Sequence, residues 1–427
     1  MLSNSFFYLL ILFLPSQLGK HFFPTFSFVS GIRIDYLAPT VYLTDLLILA
    51  TLTSWIVEKL KAQYFPGRKK IKISAKSLIF LIFYLLFFIL NIFFAQNKLL
   101  AFFKALKIAE LTFLAFYITD KKPSFKIAVY FLLFAVFYSS LIAWGQFIKQ
   151  ESINGVFYLL GERTFNLETF GIARAFVLGK LVLRPYATFP HPNVLAGFLT
   201  AVLPFVIFLP QIKKEKNKGV FFYFPLLFLT LSTIAISLSK NAWIATILIG
   251  AFCLIYFRVK VYKIVLFFLP FLFFLPIFIN RLNSAVSSDI ETITIREKLV
   301  LSSFAMIKKD PLFGVGLNNF IPNLKNTTSI NSYQELQPVH NAYLLLTAET
   351  GLLGLVFFIF LLRRVFKKMF NKLPFYQSTH LPTCLSFFSI LFLSLFDHYF
   401  FTLQQAQILF AVICGYIFAL QKDKIRE

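Results

Sequence analysis

Twelve stretches of roughly 15 to 22 predominantly apolar residues recur along the chain, separated by shorter polar segments. Runs of that length suit helices that cross ~30 Å of hydrocarbon at a rise of ~1.5 Å per residue. The pattern predicts spans at residues 1–18, 40–57, 78–94, 100–119, 127–147, 191–210, 219–238, 242–257, 264–279, 341–362, 381–395 and 403–420. Phe6 to Leu14 also has the look of a secretory h-region. No Lys or Arg precedes it and no small-residue cleavage site follows, so an uncleaved first helix is expected.

The connectors alternate in charge. Those after spans two, four, six, eight and ten, together with the C-terminal tail, total 66 residues and carry 25 Lys and Arg, including Arg68-Lys69-Lys70, Lys213-Lys214 and Arg363-Arg364. The opposite set totals 140 residues and carries 15. By the positive-inside rule both termini are expected on the cytoplasmic side. The outer residues concentrate in two loops, 148–190 and 280–340, the second directly before the tenth span. Residues 290–309 within it show a helical apolar pattern (Ile293, Leu299, Leu301, Phe304, Ile307) suited to a membrane surface.

Composition supports this class. Of 427 residues 58% are apolar, 14% are charged, and Phe alone supplies 60. A soluble domain is nearer half apolar and a quarter charged. The net charge of +24 would suggest nucleic acid in a soluble protein, but here the basic residues sit in short runs between apolar blocks. The expected fold is all-α: a polytopic membrane helical bundle of about twelve spans, one integral membrane domain over residues 1–427, with short helices in the large outer loop. Cys253, Cys384 and Cys414 fall in apolar spans and read as small core residues. Gly314-Val315-Gly316 is too short for a dinucleotide fingerprint. No cofactor and no metal are expected.

Asp45, Lys104, Lys107, Glu110 and Glu349 lie inside predicted spans. A charge near the bilayer centre costs at least ~2.5 kcal/mol, so such groups face a cavity or a partner. Lys107 and Glu110 stand on neighbouring helix turns, where an internal ion pair is the plain reading. The functional reading is that Lys104 and Lys107, both shallow from the outside, line an anionic pocket. Further polar groups gather at the same outer level: Gln146, His191, Asn193, Lys240, Asn241, His340, Asn341, Asp397 and His398.

Three stretches carry candidate chemistry. The first runs from Arg184 through Pro185, Tyr186 and Pro190 to His191 and Asn193, where two prolines break helix and hold Arg184 at the membrane surface. The second, Ser237 to Trp243, is a short hairpin that places Lys240 at the interface; a snorkelling lysine beside an interfacial Trp is its plain reading. The third is the large loop with Arg296, the segment Asp310-Pro-Leu-Phe-Gly-Val-Gly-Leu-Asn-Asn-Phe320, and His340-Asn341-Ala-Tyr343, followed by Glu349-Thr-Gly351. A lone His at a helix start is also commonly a capping or interfacial residue.

In this order and topology the three stretches resemble the O-antigen ligase and O-antigen polymerase superfamily of bacterial envelope glycan assembly. The resemblance runs from Asp35-Tyr-Leu-Ala-Pro and Tyr42-Leu-Thr-Asp45 to Glu349-Thr-Gly351. It implies transfer of a glycan from a polyprenyl (undecaprenyl) diphosphate carrier, without nucleotide sugar or metal, using arginines and one histidine. Arg184 falls on the family's arginine before span six, and His340 on the histidine that ends the large loop. Lys240 falls where an arginine is usual, which keeps the charge but loses the planar fork that grips phosphate.

The chemistry that follows needs cations to hold the diphosphate, for which Arg184, Lys240 and Arg296 are candidates, and a group to orient or deprotonate the acceptor hydroxyl, for which His340 has the suitable ordinary pKa. Asn341, Lys104 and Lys107 complete the candidate binding set. The expected partners are the carrier-linked donor, a lipid or glycan acceptor and membrane lipids, with no nucleic acid, at the outer face of the bacterial cytoplasmic membrane. The rival with the same donor is a polysaccharide polymerase, which would lengthen carrier-linked product with no external acceptor. A protein oligosaccharyltransferase is a related rival. A secondary transporter or flippase would place its charges near the bilayer midplane and show related halves.

Overall fold

The computed structural model describes residues 2–63, 75–177, 179–213, 220–256, 276, 279, 290–330, 332–370 and 380–419. Helices dominate: α1 (Leu2–Leu12), α2 (Leu43–Gln63), α3 (Ala75–Phe94), α4 (Lys98–Lys121), α5 (Phe125–Lys149), α6 (Pro192–Ile207), α7 (Leu209–Lys213), α8 (Val220–Ile236), α9 (Lys240–Tyr256), α10 (Ile290–Lys309), α11 (Phe320–Asn323), α12 (Ala342–Phe370), α13 (His380–Leu393), α14 (Tyr399–Thr402) and α15 (Gln404–Ala419). Eleven of the twelve apolar runs carry one of these helices; most of the run 264–279 and all of residues 280–289 lie outside the described residues.

Few runs carry a described helix of full spanning length. Among the described residues α5 and α12 are long and apolar enough to cross a membrane, and seven further apolar stretches, the Ile82–Phe94 part of α3 among them, are shorter. Proline accounts for part of the difference. α1 stops at Leu12 just ahead of Pro15, and the sixth run breaks between α6 and α7 at Phe208, between Pro204 and Pro210. The outward faces are nevertheless those of a membrane protein: Leu46 and Leu49 on α2, Ile89 and Phe93 on α3, and Val356 and Ile359 on α12 are all exposed.

α6 is the hub. Every residue from Pro192 to Ile207 except the half-buried Asn193 is buried, and the helix packs against α5, α8, α9 and α13. A helix apolar on all sides belongs at the centre of such a bundle. α15 packs along α4, and α1 sits between α2 and α5.

Among the described residues three two-stranded sheets decorate the connectors: β1 (Gly19–His21) pairs with β4 (Thr40–Tyr42), β2 (Phe28–Val29) with β3 (Ile32–Arg33), and β5 (Arg174–Val177) with β6 (Lys180–Leu183), all antiparallel. The helix expected at residues 290–309 is α10, which lays Ile295, Leu299 and Met306 against Leu345 and Ala348 of α12.

α12 is broken at Gly351, whose φ of 65° and ψ of −172° leave the helical region. The gap is filled by the segment after α10. Val315 N–H donates to the Ala348 carbonyl and Gly316 N–H to that of Glu349, both at 3.0 Å, while Leu352 N–H donates to Pro311 O at 2.8 Å. Asn91 of α3 completes the joint: its Nδ2 donates to the Phe313 and Glu349 carbonyls, each at 3.1 Å, and its Oδ1 accepts from Leu317 N–H at 3.0 Å. The Asp310–Leu317 segment is therefore a backbone plug, with its side-chain chemistry secondary.

Candidate functional site

The turn that carries Arg184 is held from below. The buried Gln146 accepts with Oε1 from Tyr186 N–H (2.9 Å) and Ala187 N–H (2.7 Å), and donates with Nε2 to Glu162 (2.8 Å) and the Ala187 carbonyl (3.0 Å). Thr188 Oγ1 donates to Pro15 O at 2.9 Å. Thus clamped, the turn delivers Arg184 into the interior, only 7% exposed. Its Nε donates to the Ser237 carbonyl at 2.8 Å and its Nη2 to Asn193 Oδ1 at 2.7 Å. Ser237 follows the last residue of α8, so the guanidinium meets the negative end of a helix.

Asn193 stands in the first turn of α6, behind the proline at the helix start and the His191 cap. Its Nδ2 lies 3.4 Å from Asp397 Oδ2. Asp397 reaches His340 because two turns are sewn together: Ala342 N–H donates to Ser394 O at 2.9 Å, and Asn341 Nδ2 donates to Leu395 O at 3.0 Å. His340 Nδ1 is 3.6 Å from Asp397 Oδ1, charge-pair rather than hydrogen-bond range, and that buried nitrogen has no hydrogen-bond partner among the described residues.

A second imidazole lies beside the first. The rings of His340 and His398 are 5.5 Å apart, and Tyr36 meets His398 edge-on at 5.6 Å. His398 Nδ1 is 2.7 Å from Thr402 Oγ1, and its Nε2 is 3.9 Å from Asp397 Oδ1. Burial pushes the His398 imidazole down to about 4, against the pull of Asp397. Burial opposes ionisation of Asp397 as well, yet His340, His398 and the His398 backbone N–H outweigh it and hold the carboxyl well below its ordinary value. Access separates the two imidazoles: the His340 side chain keeps 18% exposure and that of His398 only 4%.

Of the residues singled out from sequence, Arg184 and His340 come together through Asn193 and Asp397. Arg296 on α10 and Lys104 on α4 are close enough to bear electrostatically on His398; Arg296 Nε is buried without a hydrogen-bond partner among the described residues, and Lys104 Nζ donates to Phe401 O at 2.9 Å. Lys240 opens α9, three residues after Ser237, whose carbonyl accepts from Arg184. Lys107 is differently engaged: Asp45 lies at 2.5 Å and Glu110 at 3.5 Å, which is the internal ion pair of the plain reading. Asn341 caps α12, its Oδ1 accepting from Tyr343 and Leu344 N–H at 3.0 and 2.9 Å.

Asp397, His398 and Asn193 were visible in the sequence as polar groups at the outer level but had no assigned role. The signal that marks them is a vicinal Asp-His in a short connector and an Asn one residue into a Pro-started helix. Tyr36 and Arg163 carried no such signal. The donor atoms of His340, Asp397 and His398 all lie within 4.8 Å of one another, a set that could share a metal ion. The surrounding Arg184, Arg296 and Lys104 work against a divalent cation there.

No curated protein matches the chain in a sequence comparison. Residues 225–359, which take in Lys240, Arg296, His340 and the Gly351 break, match the family model described as O-antigen ligase, so this part of the chain is similar to that superfamily.

Proposed function

We propose that the protein is a glycosyltransferase of the O-antigen ligase type, which moves a glycan from a polyprenyl diphosphate carrier to an acceptor hydroxyl at the outer face of the cytoplasmic membrane, with inversion at the anomeric carbon. The observation that supports this reading is the convergence of an accessible imidazole, an ionised carboxylate and several cations on one connected cluster.

His340 turns Nδ1 toward Asp397, so the ring proton lies on that side and the Nε2 lone pair is left for the acceptor. The acceptor oxygen forms its bond to the anomeric carbon as the carbon–oxygen bond to the diphosphate breaks. The hydroxyl proton passes to Nε2, and the electron pair leaves on the diphosphate oxygen. Arg184, Arg296, Lys104 and the hairpin cation Lys240 meet the charge that develops there. Asp397 stabilises the imidazolium so formed, and the neighbouring His398, which burial keeps from protonating readily, adds no competing charge.

The test is transfer from a purified polyprenyl-diphosphate glycan by the wild-type chain and its site variants. Lys240→Arg is expected to retain or raise activity, because a guanidinium adds the bidentate fork; a fall of more than about tenfold would show that the hairpin requires a compact ammonium. Transfer is also expected to survive exhaustive dialysis against EDTA. Loss that added Zn²⁺ or Mg²⁺ restores would recast His340 as a metal ligand.

A further inference from the structure

Arg163 stands over the Arg184–His191 turn and has no part in the chemistry described so far. Its neighbour Glu162 points inward, accepting from Ile153 N–H (2.7 Å), Asn154 N–H (2.8 Å) and Gln146 Nε2 (2.8 Å). Arg163 goes the other way. Its Nη2 donates to Pro190 O at 2.8 Å, and its Cζ lies 5.5 Å from the centre of the Tyr186 ring. The two contacts orient the guanidinium without neutralising it, and among the described residues no carboxylate lies within ion-pair range. The side chain is exposed, so the remaining donor edge faces outward. Pro190 directly precedes the His191 cap of α6, and Arg163 is close enough to act electrostatically on His191, Tyr36 and His21. A cation pre-oriented at the rim of a site and lacking a carboxylate partner suits an oxyanion brought by the ligand.

We propose that Arg163 binds an oxyanion of the donor, either the diphosphate or the carboxylate of an acidic sugar; this rests on the glycan-transfer reading above. Arg163 is then a donor-binding residue that sets which donors the site accepts.

The test uses the purified full chain with three probes: undecaprenyl diphosphate alone, the same carrier bearing a neutral disaccharide, and the carrier bearing a uronic-acid disaccharide. Arg163→Gln retains a donor for Pro190 O and loses the charge; Arg163→Lys retains the charge. Arg163→Gln is expected to weaken donor binding about tenfold and to raise KM with kcat largely kept, while Arg163→Lys stays within a few-fold of wild type. Weakening on all three probes assigns the oxyanion to the diphosphate, and weakening on the uronic-acid probe alone assigns it to the sugar. Equal affinity of Arg163→Gln and wild type for every probe overturns the proposal. So does a fall in kcat that Arg163→Lys does not recover, the mark of a disturbed turn. A wild-type chain that binds none of the probes removes the transfer reading itself, and this proposal with it.

Discussion

Replacing His340 by alanine is expected to lower kcat for glycan transfer by about a thousandfold, within the range a positioned general base contributes, with donor affinity little changed. The expectation follows from how the neighbouring imidazole is held. His398 lies 5.5 Å away by ring centres, but its side chain is 4% exposed, its Nδ1 is taken up by Thr402, and burial keeps it a weak base at about 4. It cannot stand in for the lost group. The cations and the carrier-binding surface remain, so donor should still bind while the acceptor oxygen goes without a proton acceptor. The measurement is single-turnover transfer by protein shown to be monodisperse in detergent. Full activity in His340→Ala would remove the acceptor-activating role.

Gly351→Ala is expected to prevent accumulation of folded protein rather than to tune its activity. Gly351 sits at φ 65° and ψ −172°, a region only glycine occupies readily, and a Cβ built there overlaps the Leu312 carbonyl. Backbone strain alone costs of order 1–3 kcal/mol. The overlap must in addition push the plug away and release the bonds from Val315, Gly316 and Leu352. Gly31 provides the control. Its φ is also positive, at 78°, but no atom lies within 4 Å of where a Cβ would go, so Gly31→Asn should accumulate close to wild type. The comparison is the folded yield of the two variants by size exclusion. Wild-type yield and thermal stability in Gly351→Ala would show that the break is not required.

The sequence discloses helices well and meetings poorly. Eleven apolar runs carry helices because a span needs an unbroken apolar stretch and little else. Residues 290–309 were legible for a related reason, since a 3.6-residue period survives in an otherwise polar loop. The strand pairs within Gly19–Tyr42 and Arg174–Leu183 were not, because strands of two to four residues leave no period to read. At the site, charge type was legible and destination was not. Lys107 and Lys104 look alike in sequence, yet Lys107 is met by Asp45 from another helix. Asp397 reaches His340 only because the Ala342 N–H and the Asn341 side-chain amide donate to the Ser394 and Leu395 carbonyls across more than fifty residues of chain. Arg163 gave no signal at all, lying in a loop with neither period nor motif.

The interruption of α12 also constrains how the molecule is made. Amide groups freed at Gly351 have no lipid partners, so that segment cannot settle in hydrocarbon by itself. What receives them is Asn91 and the Asp310–Leu317 stretch, both synthesised earlier than α12. The chain order therefore lets the receptor be in place before the late hydrophobic segment emerges from the ribosome. A circular permutation that moved α3 behind α12 would leave the nascent helix without its dock, and insertion, not catalysis, would be the step that fails.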